Sequence, residues 1–490
     1  MKTNDYLLLT ATAAYSYLFF QQNPGINFPV FNLLLILLLA VKNRDVIFNK
    51  KWLWSAGMCL VSSACIFVHN SELSIIANVS SLLLLSAFSV NVVTSSIFSF
   101  LFSCYSVLSS MVFIVIHAVL RSQKPAEGAP AKSGGYRLVA ILIVVLLSIL
   151  FFLMYQQSNP LFAENTKWIN FDFISFYWVV FTLSGLLVVY GLLYHQSIPD
   201  IEHWENRLAL GNPGASDEEP KVKRYNTEHF AGILLFAMLN LMLIVLNAGD
   251  VQTLYFRGGL PKGMSHSDFV HHGVGVIILS ILFATALIMY LFRRNFSMLK
   301  QSKTLKILVY GWILQNLLML SSTAFRNQIY IHDYNYTYKR IGVYVWLLLA
   351  AIGLILAFIK VYRERSNWFL VKQNFAVWFT VLTLSSTINW DILITRYNMA
   401  NKPIYQVDFH YLLSLSDANI PDLLEFTKRS EFKYINNHMV NYESPLSDYR
   451  YETYIEMLSK KVYWFIANHP DDWRSYDLRE DSIRQALYKH

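Results

Sequence analysis

Three stretches of this 490-residue chain bring histidine, arginine and acidic side chains together in patterns that could bind an ion or transfer a proton. They are residues 248–272, 326–340 and 389–398. If the helices between them pack as neighbours, the three stretches can converge on one site. The side chains that would form this site, here called the outer-face cluster, are Asp250, Arg257, His266, Asp268, His271, His272, Arg326, His332, Tyr336, Arg340, Asp391 and Arg396.

The arginines of the outer-face cluster favour recognition of an anion. A guanidinium presents a planar fork of donors that matches a phosphate or a carboxylate, so they would suit an anionic lipid headgroup or a lipid-linked phosphate. Ion pairing is the competing interpretation, because buried charges are usually paired. The acidic partners would then be Asp250, Asp268, Asp333 and Asp391. We rank pairing that orders the loops first and an anion site second.

The histidines of the cluster raise the question of a metal. Imidazole and carboxylate groups suit zinc or iron, and His266, His271 and His272 lie close to Asp268 in the sequence. However, this spacing matches no zincin motif, and adjacent histidines on a helix point about 100° apart. A metal site is therefore the third interpretation, and we expect no cofactor.

The sequence shows no recognisable catalytic motif. The glycines between residues 258 and 263 indicate turns, since no strand precedes them and no Gly-Lys-Ser/Thr follows. An enzyme acting on a lipid-linked or periplasmic substrate stays open as an alternative. Its acid or base would be His266, Asp268, His271 or Asp391. Enzymatic activity is thus undecided, and the missing motif favours a protein without it.

The composition indicates that the chain lies in a bilayer. Charged residues make up 15%, where a soluble domain has about 25%, and apolar residues make up 55%. These values exclude a water-soluble enzyme, a disordered tail and a disulfide-stapled secreted module. The net charge of +8 belongs to the membrane part, so it gives no reason to expect nucleic acid as a partner.

Apolar helices must position the cluster. A helix needs about 20 apolar residues to cross the hydrocarbon core. We predict an all-α, polytopic transmembrane helix bundle of about 11 spans (range about 10–12), with one crossing and one membrane-embedded segment in 73–120. The candidate spans are 6–20, 28–41, 52–68, 73–93, 97–120, 138–156, 173–194, 230–247, 273–292, 307–325, 341–359 and 374–390.

The distribution of lysine and arginine predicts the orientation of the bundle. Basic residues gather in alternate loops, and the positive-inside rule assigns those loops to the cytoplasm. They are 42–51, 121–137, 195–229, 293–306 and 360–372. The outer-face cluster then lies on the opposite side, and so does the C-terminus. We therefore predict a bundle over 1–390, with the cytoplasmic loop 195–229, followed by a small extracytoplasmic helical domain over 391–490.

Polar groups at membrane depth are amides and hydroxyls, because no charged residue falls in the middle of a span. Asn240, Gln315 and Asn316 are expected to hydrogen-bond across helices. Serines at 99, 103, 106 and 110 form one stripe that lets two helices approach closely. A small-molecule or lipid transporter is the alternative, in which these groups would line a pathway.

Five short blocks, in order, carry a resemblance to a known family: 268–273, 336–341, 396–400, 408–416 and 472–475. Over residues 230–490 the chain resembles a bacterial multi-pass membrane family of unknown function, of the domain-of-unknown-function 4173/4153 type. The resemblance implies a protein of the bacterial cytoplasmic (inner) membrane and supplies no activity. Our leading hypothesis is a membrane protein whose outer-face cluster binds an anionic lipid headgroup or an envelope protein partner.

Overall fold

The computed structural model of the chain is mainly helical. It describes residues 3–90, 94–123, 144, 148–149, 151–152, 154–166, 175–196, 198–210, 222–252, 266–292, 303–401, 403, 406–429, 440–441, 451–452, 454–468 and 472–489. The described helices form two compact units. Unit 1 comprises Met1–Ile198 and His469–Glu480, and unit 2 comprises Pro199–Asn468 and Asp481–His490.

Among the described residues, unit 1 holds eight helices. They are α1 (Thr3–Phe19), α2 (Asn27–Lys42), α3 (Lys50–His69), α4 (Glu72–Phe88), α5 (Ser96–Leu108), α6 (Ser110–Gln123), α7 (Pro160–Asn165) and α8 (Phe176–Leu193). A 3-10 turn, Arg44–Phe48, joins α2 to α3, and a second, Trp473–Ser475, lies near the C-terminus. Helix α3 packs along α4, and α8 packs on α1 and α5.

Unit 2 holds the remaining helices. They are α9 (Pro199–Leu210), α10 (Val222–Val251), α11 (His266–Leu291), α12 (Lys303–Tyr334), α13 (Tyr338–Tyr362), α14 (Asn367–Ser385), α15 (Trp390–Asn401), α16 (Phe409–Ser414), α17 (Ile420–Thr427) and α18 (Tyr454–Asn468). The last helix, α19 (Leu478–Tyr488), crosses the boundary between the units. A 3-10 turn, Asp417–Asn419, links α16 to α17, and two two-residue strands, β1 (Val440–Asn441) and β2 (Tyr451–Glu452), pair antiparallel. Apart from this short strand pair, the described elements are helical, as the sequence predicted.

Several helices are long and apolar enough to cross a membrane. Among the described residues there are five such helices, or up to seven if each of two bent pairs counts as one span. The bends are 68° between α5 and α6 and 60° between α14 and α15. Shorter apolar helices cover Asn27–Lys42, Glu72–Phe88 and Ile278–Leu291. The predicted span 138–156 lies largely outside the described residues.

The serine stripe predicted in the sequence packs two helices of unit 1 closely. Ser103 Oγ donates to Leu83 O at 2.6 Å. Ser106 Oγ accepts from Gln196 N, directly after α8, at 2.7 Å. A Cβ on Gly191 would lie 2.5 Å from Val107 Cα, so only glycine permits this approach of α8 to α5. The prediction that the stripe brings helices together is confirmed.

Helix α12 extends well past the predicted span 307–325. The helix continues because its last turns carry Tyr330 and Ile331, which are buried at 6% and 0% exposure. It ends where Asn335 adopts a φ of 76°, a left-handed conformation that asparagine tolerates better than most residues. Much of the stretch expected to be an outer loop is therefore helical.

Candidate functional site

The turn between α12 and α13 is fixed by Arg340. Its Nη1 donates to the carbonyl oxygens of Tyr334 and Asn335, and its guanidinium lies 4.2 Å from the centre of the Tyr330 ring. Asn327 Nδ2 in turn donates to Arg340 O at 3.0 Å. A cation at the carbonyl end of a helix is favourable, because that end carries partial negative charge. Arg340 therefore caps α12.

Asp391 is the centre of a polar network at the start of α15. The residue is 8% exposed. Its Oδ1 accepts from the Tyr338 hydroxyl at 2.7 Å, and its Oδ2 accepts from Ser416 Oγ. One carboxylate thus joins the first turn of α13, the first turn of α15 and the segment that follows α16. We call these three residues, with Lys461, the Asp391 network.

Lys461, on α18, completes this network from the other side. Its Nζ donates to Leu415 O at 2.6 Å, to Leu413 O at 3.1 Å and to Asn419 Oδ1 at 3.1 Å. Burial lowers the pKa of Lys461 to about 8, and the charges of Asp417 and Asp391 act against that shift. The ammonium group of Lys461 therefore holds two backbone carbonyl oxygens and one side-chain oxygen of the 411–419 segment in place.

A second contact fixes the turn between α12 and α13 to α15. Tyr336 N donates to Asn398 Oδ1 at 2.6 Å, and Asn398 Nδ2 donates back to Tyr336 O at 3.0 Å. The Tyr336 ring stands edge-on to that of Tyr397, with 4.5 Å between ring centres. Burial, and secondly the neighbouring Tyr397, raise the pKa of Tyr336. Both hydrogen bonds of this exchange involve backbone atoms, so they set the register of the turn.

An apolar cluster lies beneath these polar contacts. It joins the first turn of α13 to α15 and to the helices that follow. Its buried members are Ile341, Ile394, Met399, Val407, Phe409, Leu412, Leu423, Phe426 and Leu458. The helices α15 to α18 are therefore packed as one layer on the end of α13.

The charged members of the outer-face cluster largely meet intramolecular partners. Arg326 forms an ion pair with Asp250, with side chains 15% and 10% exposed. Arg396 Nε lies 2.8 Å from Asp422 Oδ1, and the Arg396 side chain is 68% exposed. His332 Nδ1 lies 3.2 Å from Asp333 Oδ1. Two arginines are thus engaged by carboxylates, one deep between α10 and α12 and one at the surface.

The structure brings together only part of the predicted cluster. Tyr336, Arg340, Asp391 and Arg396 belong to the packed layer of α13 and α15. Arg257 lies outside the described residues. The backbone of His266, Asp268, His271 and His272 is part of α11, but their side chains lie outside the described part of the structure. Within the described part of the chain, no group of three or more His, Cys, Asp or Glu residues could hold a metal ion.

Sequence reasoning missed most of the Asp391 network. Tyr338 and Ser416 stand out in the sequence only within the blocks 336–341 and 408–416 of the family resemblance, and Lys461 was given no role. The position of Lys461 in the sequence indicated burial, since the residue stands three residues after Leu458 and four before Phe465. These are the spacings of the buried side of a helix. A lysine at such a position is unusual, because charged groups are rarely buried without partners.

Unit 1 has a cavity of its own, with a volume of about 340 Å³. Its wall includes Lys42, Tyr194 and His195, and Lys42 Nζ donates to Leu193 O at the end of α8. His195 is 7% exposed, and its Nδ1 lies 3.3 Å from Ser103 Oγ. Burial, and secondly Lys42, lower the pKa of His195 to about 4. His195 is therefore neutral at pH 7 and forms part of the packing between α5 and α8.

Comparison with known proteins gives one match. The family model described as "Domain of unknown function (DUF4153)" matches residues 56–426. No curated protein and no solved structure matches the chain. The match begins nearer the N-terminus than the resemblance over 230–490 suggested, and it ends before α18. It covers Tyr338, Asp391 and Ser416 but not Lys461.

Proposed function

The chain belongs to the family described as a domain of unknown function (DUF4153), and from this membership we propose a role that the description leaves open. The protein is a multi-pass protein of the bacterial cytoplasmic membrane that binds an anionic lipid headgroup at its outer face. In this proposal it has about 11 spans, residues 391–490 lie outside the cytoplasm, and the protein acts without catalysing a reaction.

Contacts inside unit 1 support a location of the C-terminal segment outside the cytoplasm. Arg474 Nη1 donates to Tyr17 O at 2.6 Å, and Ser475 Oγ donates to Gln22 Oε1 at 2.7 Å. The C-terminal segment therefore lies at the end of α1 and α2 where residues 20–26 connect them. Lys42 and the basic 42–51 loop are at the other end of α2, about 24 Å away along a 16-residue helix. The positive-inside rule then favours an outer location for the C-terminal segment.

The observation that carries headgroup binding is a pair of exposed cations beside the packed turn. Lys339, in the first turn of α13, is exposed, and no carboxylate among the described residues pairs with it. Arg396 is 68% exposed and is paired with Asp422 through Nε. The edge-to-face pair Tyr336 and Tyr397 lies close to both cations in the sequence, since Tyr397 directly follows Arg396 and Tyr336 stands three residues before Lys339. Cations and tyrosines at the end of a span are typical of groups that meet lipid phosphates.

Arg340 is unsuited to this role, although it is the most buried cation of the turn. Its guanidinium is used to cap α12 through two carbonyl oxygens. Replacing Arg340 would therefore disturb the fold as well as any binding. Lys339 and Arg396 are the better targets, since their side chains extend into solvent.

The test compares lipids of different charge on the purified, detergent-solubilised full chain. We expect phosphatidylglycerol to raise the melting temperature more than phosphatidylcholine does. The double variant Lys339→Gln with Arg396→Gln should lose this difference. Lys303→Gln, an exposed lysine at the other end of α12, should keep it. Equal effects of the two lipids on the wild type would refute headgroup binding and leave an envelope protein as the partner to seek.

The two alternative functions have less support from the described residues. The amides that would line a transport pathway bond each other, with Gln315 Nε2 donating to Asn240 Oδ1 at 2.6 Å. Asn240 Nδ2 donates to Leu308 O at 2.9 Å, so this pair holds α10 to α12. For an enzyme, Asp391 would be the base, but both of its oxygens already accept hydroxyl hydrogen bonds.

A further inference from the structure

We propose that helix α18 lies on the surface of the bilayer beside α13, with one apolar side inserted among the lipid headgroups. The inserted side chains are those of Ile455, Tyr463 and Ile466. This contact is separate from the binding of an anionic headgroup, because it uses apolar side chains and needs no lipid charge.

The three side chains form one exposed stripe along the helix. Their exposed fractions are 44% for Ile455, 68% for Tyr463 and 62% for Ile466. At about 100° per residue they fall within roughly 80° of one another around the helix axis. The buried side is different, since Leu458 and Phe465 are 7% and 1% exposed. Helix α18 therefore has an apolar side that the rest of unit 2 leaves uncovered.

The position of α18 in unit 2 brings this stripe to the end of a span. Leu458 belongs to the same apolar cluster as Ile341, which lies in the first turn of α13. Only 22% of the apolar window of α13 is buried within the protein. Most of α13 therefore faces lipid in a membrane, and Trp346, one turn further along, is 57% exposed. A helix packed on the end of such a span has the bilayer surface as its nearest large apolar neighbour.

The chemistry of the stripe also suits the membrane interface. Tyrosine is enriched where headgroups meet hydrocarbon, because its ring is apolar and its hydroxyl is polar. The stripe extends from Ile455 to Ile466, or about 16 Å along the helix, so the helix would lie parallel to the surface. Glu456 lies about 20° from Tyr463 at the edge of the stripe, and Lys460 lies about 60° from Tyr463. Both are exposed and would face the headgroups and water. Trp464, which is 63% exposed, points about 160° away from Ile466, to the side of the helix opposite the stripe. A helix with an apolar side and a charged side is typical of one that lies in the interface.

The test uses single cysteines in a full chain whose native cysteines, Cys59, Cys65 and Cys104, are replaced by alanine. A nitrobenzoxadiazole label is attached at Ile466→Cys, and the protein is placed in nanodiscs of phosphatidylcholine alone. Lys460→Cys is the matched control, since residue 460 is exposed and points about 120° from Ile466 and about 140° from Ile455. Ile455→Cys repeats the measurement at the other end of the stripe.

We expect lipids that carry a spin label near the headgroup to quench the label at 466 and 455 several-fold more than at 460. Emission at 466 and 455 should also be blue-shifted. Equal, water-like emission and no quenching at all three positions would overturn the proposal. A blue shift at 466 without lipid quenching would also overturn it, because a protein surface would then cover the stripe. The neutral lipid keeps this result independent of the headgroup proposal, which can fail or succeed separately.

Discussion

Removal of the Asp391 carboxylate should loosen the C-terminal layer from the end of α13. Asp391→Ala deletes the acceptor of the Tyr338 and Ser416 hydroxyls. A hydrogen bond to a charged group contributes about 1.5–3 kcal/mol. Both donor residues are exposed enough for water to replace the lost partner. We therefore take about 1–1.5 kcal/mol for each of the two hydrogen bonds and expect the free energy of opening of the layer to fall by about 2–3 kcal/mol.

Hydrogen exchange in nanodiscs measures this opening locally. A loss of 2–3 kcal/mol corresponds to exchange about 30- to 150-fold faster at the amides of α17, since 1.4 kcal/mol is a factor of ten. Tyr338→Phe removes one of the two donors and should accelerate exchange about 5- to 10-fold, for a loss of about 1 kcal/mol. Asp333→Ala is the matched control, because Asp333 is an exposed aspartate on the same side of the turn and lies outside the network.

The relative exchange rates of these variants test whether the Asp391 network holds the C-terminal layer. If Asp391→Ala left the exchange of α17 within threefold of the wild type, the Asp391 network would not hold the layer. If Asp333→Ala accelerated exchange as much as Asp391→Ala, a general loss of negative charge would explain the result. If the Asp391 network holds the layer, exchange of α17 is accelerated strongly in Asp391→Ala, less in Tyr338→Phe and not at all in Asp333→Ala.

Two further predictions concern the other elements. Burial lowers the pKa of Lys461 to about 8, below its usual 10.5, so its contribution to stability grows as the pH rises from about 8 to 10.5. In melting curves between pH 7 and pH 10, the wild type should therefore gain stability relative to Lys461→Met. A difference in melting temperature that stays constant over this range would contradict the lowered pKa. Gly191→Ala should cost about 1–3 kcal/mol, because its Cβ would meet Val107 Cα at 2.5 Å. Gly57→Ala, with nothing within 4 Å of the added Cβ, should be neutral or stabilising in the same melting assay.

The sequence predicted the class of the fold because that depends on local properties. The lengths of apolar runs place helices where the structure has them, as for 28–41 in α2, 52–68 in α3 and 173–194 in α8. The number of about 11 spans stays a prediction, since bends and the described ranges leave five to seven candidates.

The candidate site depended on contacts that are distant in sequence, which a single chain does not reveal. Asp391 lies 53 residues from Tyr338 and 25 from Ser416 along the chain. Arg326 pairs with Asp250 across 76 residues. Residue types indicated which side chains of this part of the chain are charged, but they did not distinguish an arginine that caps a helix from one that extends into solvent. Only Lys461, placed on the buried side of a helical pattern, gave a local sign of its role.

Cysteine labelling of spheroplasts tests the central claim most directly, which is that the Asp391 network and α18 lie on the side of the membrane opposite the basic loops. Glu456→Cys and Lys50→Cys would be compared in the cysteine-free chain, since both positions are exposed. A membrane-impermeant maleimide should label residue 456 in intact spheroplasts and residue 50 only after lysis. Labelling of residue 50 in intact spheroplasts, with residue 456 protected until lysis, would contradict the account.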